Sequence, residues 1–297
     1  MSDPERIHDI TAAALESLHK VMKANPRVAE PEPEKRPLAK VIQLPLWPET
    51  LRGMLNPALR SALFSAIHSK DRRFIDYELI AAVDGLEIRY QGKQLNQEDL
   101  EVCTEVFHLA RLHPCGDTCH TSAHGLLKAL GRSTGRTNHR QLHASLIRLQ
   151  HPLEIKIDRR IHYSGSLIMK GIKDDLTRHY LIKVNADLAP LFKNGWTALD
   201  VEQRHSLRGK HLALWLHAFY ASHAKPYPYK VETLRDLSGS RTARLRRFRE
   251  NLREALAEVQ ATGAIAAWDI DSESDLVRVD KVLSITCRRK NPPKLPE

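Results

Sequence analysis

The 297-residue chain has only four cysteines, irregularly spaced, and so no disulfide framework of the kind that staples small secreted domains. No run approaches the ~18 consecutive apolar residues that a membrane span requires. The opening "MSDPERIHDI" lacks the basic start and apolar core of a secretory signal, so a cytoplasmic protein is expected. A phosphate cradle is missing as well. "GLLKALGRS" (Gly125 to Ser133) has five residues between its glycines and Arg in place of Lys, so P-loop spacing fails. No two histidines flank a single apolar residue, the pattern with which a rolling-circle nicking enzyme would hold a metal beside its tyrosine. With neither engine, no enzymatic activity and no cofactor are expected.

What the chain does have is positive charge. It holds 46 Lys and Arg against 36 Asp and Glu, a formal +10. Residues 1–40 contain seven basic and seven acidic side chains, so the whole excess lies beyond them. A basic folded region points to a polyanionic partner, most often nucleic acid. The hydrophobic fraction of 42% is enough for proper cores, and the length suggests roughly two domains.

In "ERIHDITAAALESLHKVMK" (residues 5–23), Ile7, Ile10, Ala14, Leu18 and Val21 share one helical stripe. "NPRVAEPEPEKRPLAK" then alternates charge with four prolines, a flexible linker composition. Next comes "VIQLPLWPET", which is apolar where a linker should be polar. It is either the first edge of a folded domain or a peptide offered to another protein.

From Ala58 the pattern is globular. "RFIDYELIAAVDGLEIRYQGKQL" reads as strands turning at Asp84 and Gly85, and "NQEDLEVCTEVFHLARL" as a helix with an Asn cap. "TSAHGLLKALG" is a short helix ending at Gly131. "RSTGRTNHRQLHASLIRLQHP" is a longer one with Leu142, Leu146 and Leu149 along one side. The alternating stretches "LEIKID", "GSLIMKGI" and "HYLIKVN" follow. The order then recurs: "GKHLALWLHAFYAS", a short helix in "AKPYPYKVETLRDLSG", a long one in "RTARLRRFRENLREALAEVQATG", and a hairpin with the tip "DSESD". This predicts an α+β chain of tandem winged-helix (winged helix-turn-helix) domains behind a flexible N-terminal segment. The expected divisions are 1–40 (helix and charged linker), 41–57 (linker peptide), 58–193 (first domain), 194–290 (second domain and main reader) and 291–297 (tail).

On a helix from Arg241 to Val259, Leu245, Phe248, Leu252, Leu256 and Val259 fall in one arc at about 100° per residue, the buried face. Arg246, Arg247 and Asn251 project away from it, Arg244 lies at its border, and Arg241 and Thr242 stand at the N-terminal end. Glu250, Glu254 and Glu258 come later and pair with Arg246, Arg247 and Arg253. Cations thus concentrate in the half that a recognition helix inserts into a major groove. An arginine fork can grip guanine O6 and N7 together, or a phosphate. A plain solvated amphipathic helix has the same periodicity; the short helix before it and the hairpin after it favour DNA. Arg136, Thr137, Asn138, His139 and Arg140 occupy the equivalent half-helix of the first domain, at lower basic density, for weaker DNA contacts or for dimerisation. Arg159, Arg160 and His162 are expected near the first wing, and Arg288, Arg289 and Lys290 in a basic tail.

His113, Cys115, Cys119, His120 and His124 carry zinc-ligand chemistry. Their spacing is crowded and irregular, and the expectation is loop residues with no metal.

The stretches "LWPETLRGMLNPALRSALF", "LIRLQHPLEI", "LIKVNADLAPLF", "AFYASHAKPYPYKVETLRDLSGS" and "RLRRFRENLREALAEVQATG", in order over most of residues 42–280, resemble the TrfA family of plasmid replication initiators. The resemblance implies tandem winged helices on double-stranded DNA, reading direct repeats (iterons) in a plasmid origin. It also implies origin opening, contacts with the replicative helicase, the host initiator and the bacterial sliding clamp, and a monomer–dimer equilibrium in which dimers limit copy number. Family members carry a clamp-binding pentapeptide of the type Gln-Leu-Ser/Asp-Leu-Phe. Here "QLPLW" supplies Gln43, Leu44, Leu46 and Trp47 in matching order. Such a tethered peptide gives a pocket two apolar anchors, and Pro45 favours the extended form. The sequence departs from the family in one way: its motif merges with the Trp-Pro that begins the domain, at Trp47 and Pro48, which makes packing on the domain the competing role of Trp47. The alternative from another class is a winged-helix transcriptional repressor, which reads a palindrome as a dimer.

Overall fold

The computed structural model describes residues 43–282, apart from 115–117, 175 and 178. The expected helix at 5–23, the charged linker and the basic tail with Arg288 lie outside the described residues. The chain divides into two units, Met1–Val41 and Ile42–Glu297, and all the described elements belong to the second. Among the described residues no helix is long and apolar enough to cross a membrane.

Much of the stretch 41–57, expected to be a linker peptide, is part of the fold. Strand β1 (Leu51–Leu55) leads into the single turn α1 (Asn56–Leu59), and Met54, Leu55 and Ala58 are buried. After the two-residue β2 (Phe64–Ser65) come β3 (Phe74–Ile80) and β4 (Leu86–Lys93), joined by a turn in which Gly85 has φ 81°, a conformation that L side chains rarely adopt. β5 (Leu95–Asn96) runs parallel to β2. It hands over to α2 (Gln97–Ala110) through a capping box: the Asn96 side chain accepts from the backbone of Glu98 at 3.1 Å, and Asp99 accepts from the Asn96 backbone at 3.1 Å. Asp99 is wholly buried and pairs with both Arg72 and Arg148, the latter at 2.7 Å. It has two cationic partners, so the cost of desolvating its charge is offset.

Among the strands that the sequence pattern does not show, one at Thr118–Ser122 and one at Tyr229–Lys230 each precede a short helix. β6 (Thr118–Ser122) precedes α3 (Ala123–Ala129) and α4 (Arg136–Arg148), and is followed by β7 (Leu153–Ile157), β8 (Ile161–Gly165), β9 (Ile168–Lys173) and β10 (His179–Val184). After α5 (Ala189–Asn194), β11 (Trp196–Asp200) and α6 (Val201–Ser206) comes α7 (His211–Ala221). The strand β12 (Tyr229–Lys230) then precedes α8 (Val231–Leu237), α9 (Leu245–Ala261), β13 (Ile265–Ile270) and β14 (Leu276–Lys281). One pattern appears twice. α2–β6–α3–α4–β9–β10 forms a three-stranded sheet in the order β6-β10-β9, and α7–β12–α8–α9–β13–β14 forms one in the order β12-β14-β13. In both, the strand before the short helix pairs antiparallel with the last strand.

The first repeat carries an insertion. β7 and β8, expected near its wing, instead complete a four-stranded sheet in the order β3-β4-β7-β8. The register explains why: Leu153 and Ile155 of β7 lie opposite Tyr90 and Ile88 of β4, and all four are buried. Arg159 and Arg160 therefore stand at the turn of this sheet, and His162 is held by Glu154 at 2.5 Å.

Two apolar clusters result, a larger one around α2 and a second that holds Trp215, Phe219, Phe248, Leu252 and Leu256. They meet through polar contacts. Trp215 donates to the Ser61 carbonyl at 3.2 Å, and the buried Arg204 donates to the Gln97 side chain at 3.2 Å. β1 pairs antiparallel with β11 from Leu51 opposite Asp200 to Leu55 opposite Trp196. That ribbon joins the expected linker to the expected second domain.

Candidate nucleic-acid interface

The long helix of the second repeat starts four residues later than its periodicity suggests. Arg244 is its N-cap, with extended backbone at φ −87° and ψ 117°. The Ser240 hydroxyl accepts from the Thr242 backbone at 3.3 Å, a local bond that competes with helix formation. Arg241, Thr242 and Arg244 thus form the run into α9 rather than its first turn. Phe248, Leu252, Leu256 and Val259 are buried, and at about 1.5–3 kcal/mol for each large apolar side chain this face fixes the rotation of the helix.

The opposite face is cationic. The side chains of Arg246 and Arg247 are 89% and 64% exposed, and both lean on Glu250, at 3.5 and 3.1 Å. Arg247, then Arg246, hold the Glu250 carboxyl below its usual range. Exposed pairs of this kind are weak, about 0–1 kcal/mol, so neither guanidinium is withheld from an incoming anion. Arg241 and Arg244 are exposed, while Thr242 and Asn251 are half-buried. Four arginine forks therefore line residues 241–247, a layout able to grip phosphates or guanine edges. Arg249, one turn beyond Arg246, is occupied by a carboxylate pair. It donates to both Asp275 oxygens at 2.8 Å and ties the acidic hairpin tip back onto the helix.

In the first repeat, Arg136, His139 and Arg140 of α4 come together with His143, Lys173 and Tyr180 around a groove of about 480 Å³ that no carboxylate lines. The Tyr180 hydroxyl lies 3.3 Å from His143 Nδ1. Thr137 is exposed beside the groove, whereas the Asn138 amide donates to the Ser133 carbonyl at 2.8 Å and holds the preceding loop. His143 was within reach of sequence reasoning, four residues beyond His139 on the same helical face. Lys173 was not, since β9 is brought there by sheet pairing.

The pentapeptide is seated in the core. Leu44 and Trp47 are 3% and 5% exposed, whereas Leu46 is 67% exposed. Gln43 is exposed but its amide donates to the Arg111 carbonyl at 2.8 Å. The Trp47 ring lies 5.3 Å from that of Trp196 and 6.4 Å from that of Phe192. A Cβ on Gly53 of β1 would stand 2.6 Å from it, so Gly53 leaves the space that the indole fills. Trp47 Nε1 donates to His108 Nδ1 at 3.0 Å, and His108 Nε2 lies 2.7 Å from Glu49. An indole can only donate, so Nδ1 must accept and Nε2 must carry the proton. Burial lowers the pKa of His108, in keeping with that neutral form. Glu49 also pairs with Arg111, and the bond from His108, then that from Arg111, lowers its pKa.

Among the described residues no group of three or more His, Cys, Asp or Glu could hold a metal ion. Cys119 and His120 are neighbours on β6 and point to opposite faces of its sheet, and Cys115 lies outside the described residues.

The TrfA protein family matches residues 35–281. The chain belongs to the TrfA family. The plasmid replication initiator protein TrfA of Escherichia coli is 28% identical over 232 residues, which cover 75% of this chain and 60% of that relative. The chain thus spans less than two thirds of that relative's length. Domains 2 and 3 of RctB are similar at a TM-score of 0.47 and 11% identity, over 73% of this chain and 94% of that one. The Pi initiator protein in complex with iteron DNA is similar at 0.46 and 14%, over 62% of this chain and 94% of that one.

Proposed function

We propose that this chain is a plasmid replication initiator that binds direct repeats at a plasmid origin, helps to open the duplex and brings host replication proteins to it. Family membership supports the class. The observation that carries the reading is the repeated topology, in which two long helices each turn an arginine-bearing N-terminal half outward. In this reading both repeats are winged helices and the second is the main reader. Residues 241–247 enter the major groove, and the groove at Arg136 and Arg140 takes backbone phosphates. The protein works by binding energy and leaves hydrolysis to its partners.

The sliding clamp belongs to the proposal on one condition. Leu44 and Trp47 cannot fill a clamp pocket while they fill the seat beside Gly53, so clamp binding requires residues 43–49 to leave it. Helicase contact and a monomer–dimer equilibrium complete the reading.

Selection of bound duplexes from a random DNA library, at about 150 mM salt where non-specific binding is weakened, tests it. An asymmetric site that takes several copies on tandem repeats is expected. A palindrome would replace the initiator with a repressor, and no enriched sequence would leave only a basic surface.

A further inference from the structure

We infer that Arg208 is a positioning residue: it braces the short helix of the first repeat from the second repeat, and so fixes which DNA phosphates the first repeat meets relative to the bases read by residues 241–247. The inference rests on the DNA-binding reading above and adds to it a fixed offset between the two contacts.

Each repeat ends its short helix at a glycine in the left-handed region, Gly131 after α3 at φ 60° and Gly239 after α8 at φ 61°. The cationic run begins a few residues later in both, at Arg136 and at Arg241. The angle of each turn therefore aims the side chains that meet DNA.

In both repeats the turn is held by a group from across the junction. Arg208, in the loop between α6 and α7, donates to the Leu130 carbonyl at 2.5 Å and to the Gly131 carbonyl at 2.7 Å. Both carbonyls stand past the last turn of α3, where no intrahelical donor reaches them and a cation complements the helix dipole. At the other turn, the Ser238 carbonyl accepts from the backbone of Ala66, just beyond β2, at 2.7 Å. A Cβ on Gly239 would stand 2.5 Å from Ser65 Oγ, so this turn lies directly on β2.

A third contact joins the repeats in the interior. The buried Arg204 donates to the Leu214 carbonyl of α7 at 3.1 Å and to the Gln97 side chain of α2 at 3.2 Å. Gln97 donates on to the Phe64 carbonyl of β2 at 2.6 Å. Buried polar groups that find their partners in one arrangement penalise every other one. The repeats thus act as a single reader rather than two readers on a hinge. Arg208 is exposed, so this brace can be cut without opening the core.

The test uses the full chain and duplexes that carry its selected repeat, each with one phosphate replaced by an uncharged methylphosphonate. Positions whose penalty vanishes in Arg136→Ala belong to the first repeat. In the wild type, affinity should fall about threefold or more at one or two of them and little at their neighbours. In Arg208→Ala that penalty should shrink below about twofold and spread along the strand, while the penalties under residues 241–247 stay as they are. The inference is overturned if no penalty depends on Arg136, or if the wild type shows an even, shallow penalty across the first repeat. It is also overturned if Arg208→Ala keeps the sharp pattern, whether with a lower melting temperature or with weaker binding to all duplexes alike, since Arg208 would then be a structural contact or a plain cation. Loss of one phosphate's penalty with no spread would mean that Arg208 itself touches DNA, and would overturn it too. A wild type that selects no repeat at all overturns the DNA-binding reading and the brace's role with it.

Discussion

Replacing Trp47 by Ala separates a seated strap from a free peptide. Trp47 is 5% exposed, packs on Phe192 and Trp196 and donates to His108. Truncating a buried Trp costs about 3–5 kcal/mol through lost transfer energy and the cavity left behind. At roughly 2–4 °C per kcal/mol for a unit of this size, the melting temperature should fall by ~10 °C. Trp47→Phe keeps most of the ring and loses the bond to His108, for a cost of about 1 kcal/mol. Gly53→Ala should act on the same seat from the other side, since its Cβ would stand 2.6 Å from the indole. Because both changes empty one seat, Trp47→Ala combined with Gly53→Ala should cost well below the sum of the two. Urea unfolding of the four proteins gives the cycle. A loss under about 1 kcal/mol for Trp47→Ala, with additive behaviour in the double variant, would refute the seat and return the stretch to a freely offered peptide.

Two further outcomes are expected. Glu250→Gln removes the carboxylate that lies against Arg246 and Arg247 at 3.5 and 3.1 Å; it should raise affinity for non-specific duplex and steepen its salt dependence, and an unchanged salt titration would show that these arginines do not face DNA. His217 is buried, and desolvation first, then the Arg204 charge, hold its pKa at about 3 against a reference value of 6.5. The unfolded chain protonates this residue first, so its stability contribution is complete above about pH 6.5 and is lost as the pH falls toward about 3, at ~1.4 kcal/mol per pH unit. Unfolding free energies compared at about pH 6 and about pH 4.5 should therefore fall less steeply in His217→Leu than in the wild type; equal slopes would contradict the buried neutral form.

Local signals carried most of what the sequence could tell. The Asn96 cap, the stop at Gly131 (φ 60°) and the buried arc of α9 depend on neighbours within one or two turns, and there the periodicity was a sound guide. What failed to show depends on distant partners. β6 reads "TCHTS", with no apolar alternation, and becomes a strand through pairing with β10. β12 is two residues long and exists through β14. β1 meets β11 from the far side of the first repeat, so a boundary drawn from composition cut through one ribbon. The start of α9 was missed because Arg244 and its neighbours are good helix formers, and nothing in their propensities reports the Ser240 bond. At the candidate site, the α4 half of the cationic groove was readable by helical spacing, while Lys173 and the Arg249–Asp275 pair required the fold. The greasy stretch was legible as an anomaly, and its resolution as a seat needed the space above Gly53.

The central claim is that residues 241–247 read DNA, and Ala substitution of Arg244 and of Arg247 tests it most directly, with binding measured on the selected repeat and its single-base variants across salt. If a residue reads a base, its loss should cost about 1–3 kcal/mol and relax discrimination at one position. If it holds a phosphate, all sequences should weaken alike and the salt slope should drop by about one. Unchanged affinity, specificity and salt slope in both variants would mean that another face of the molecule enters the groove.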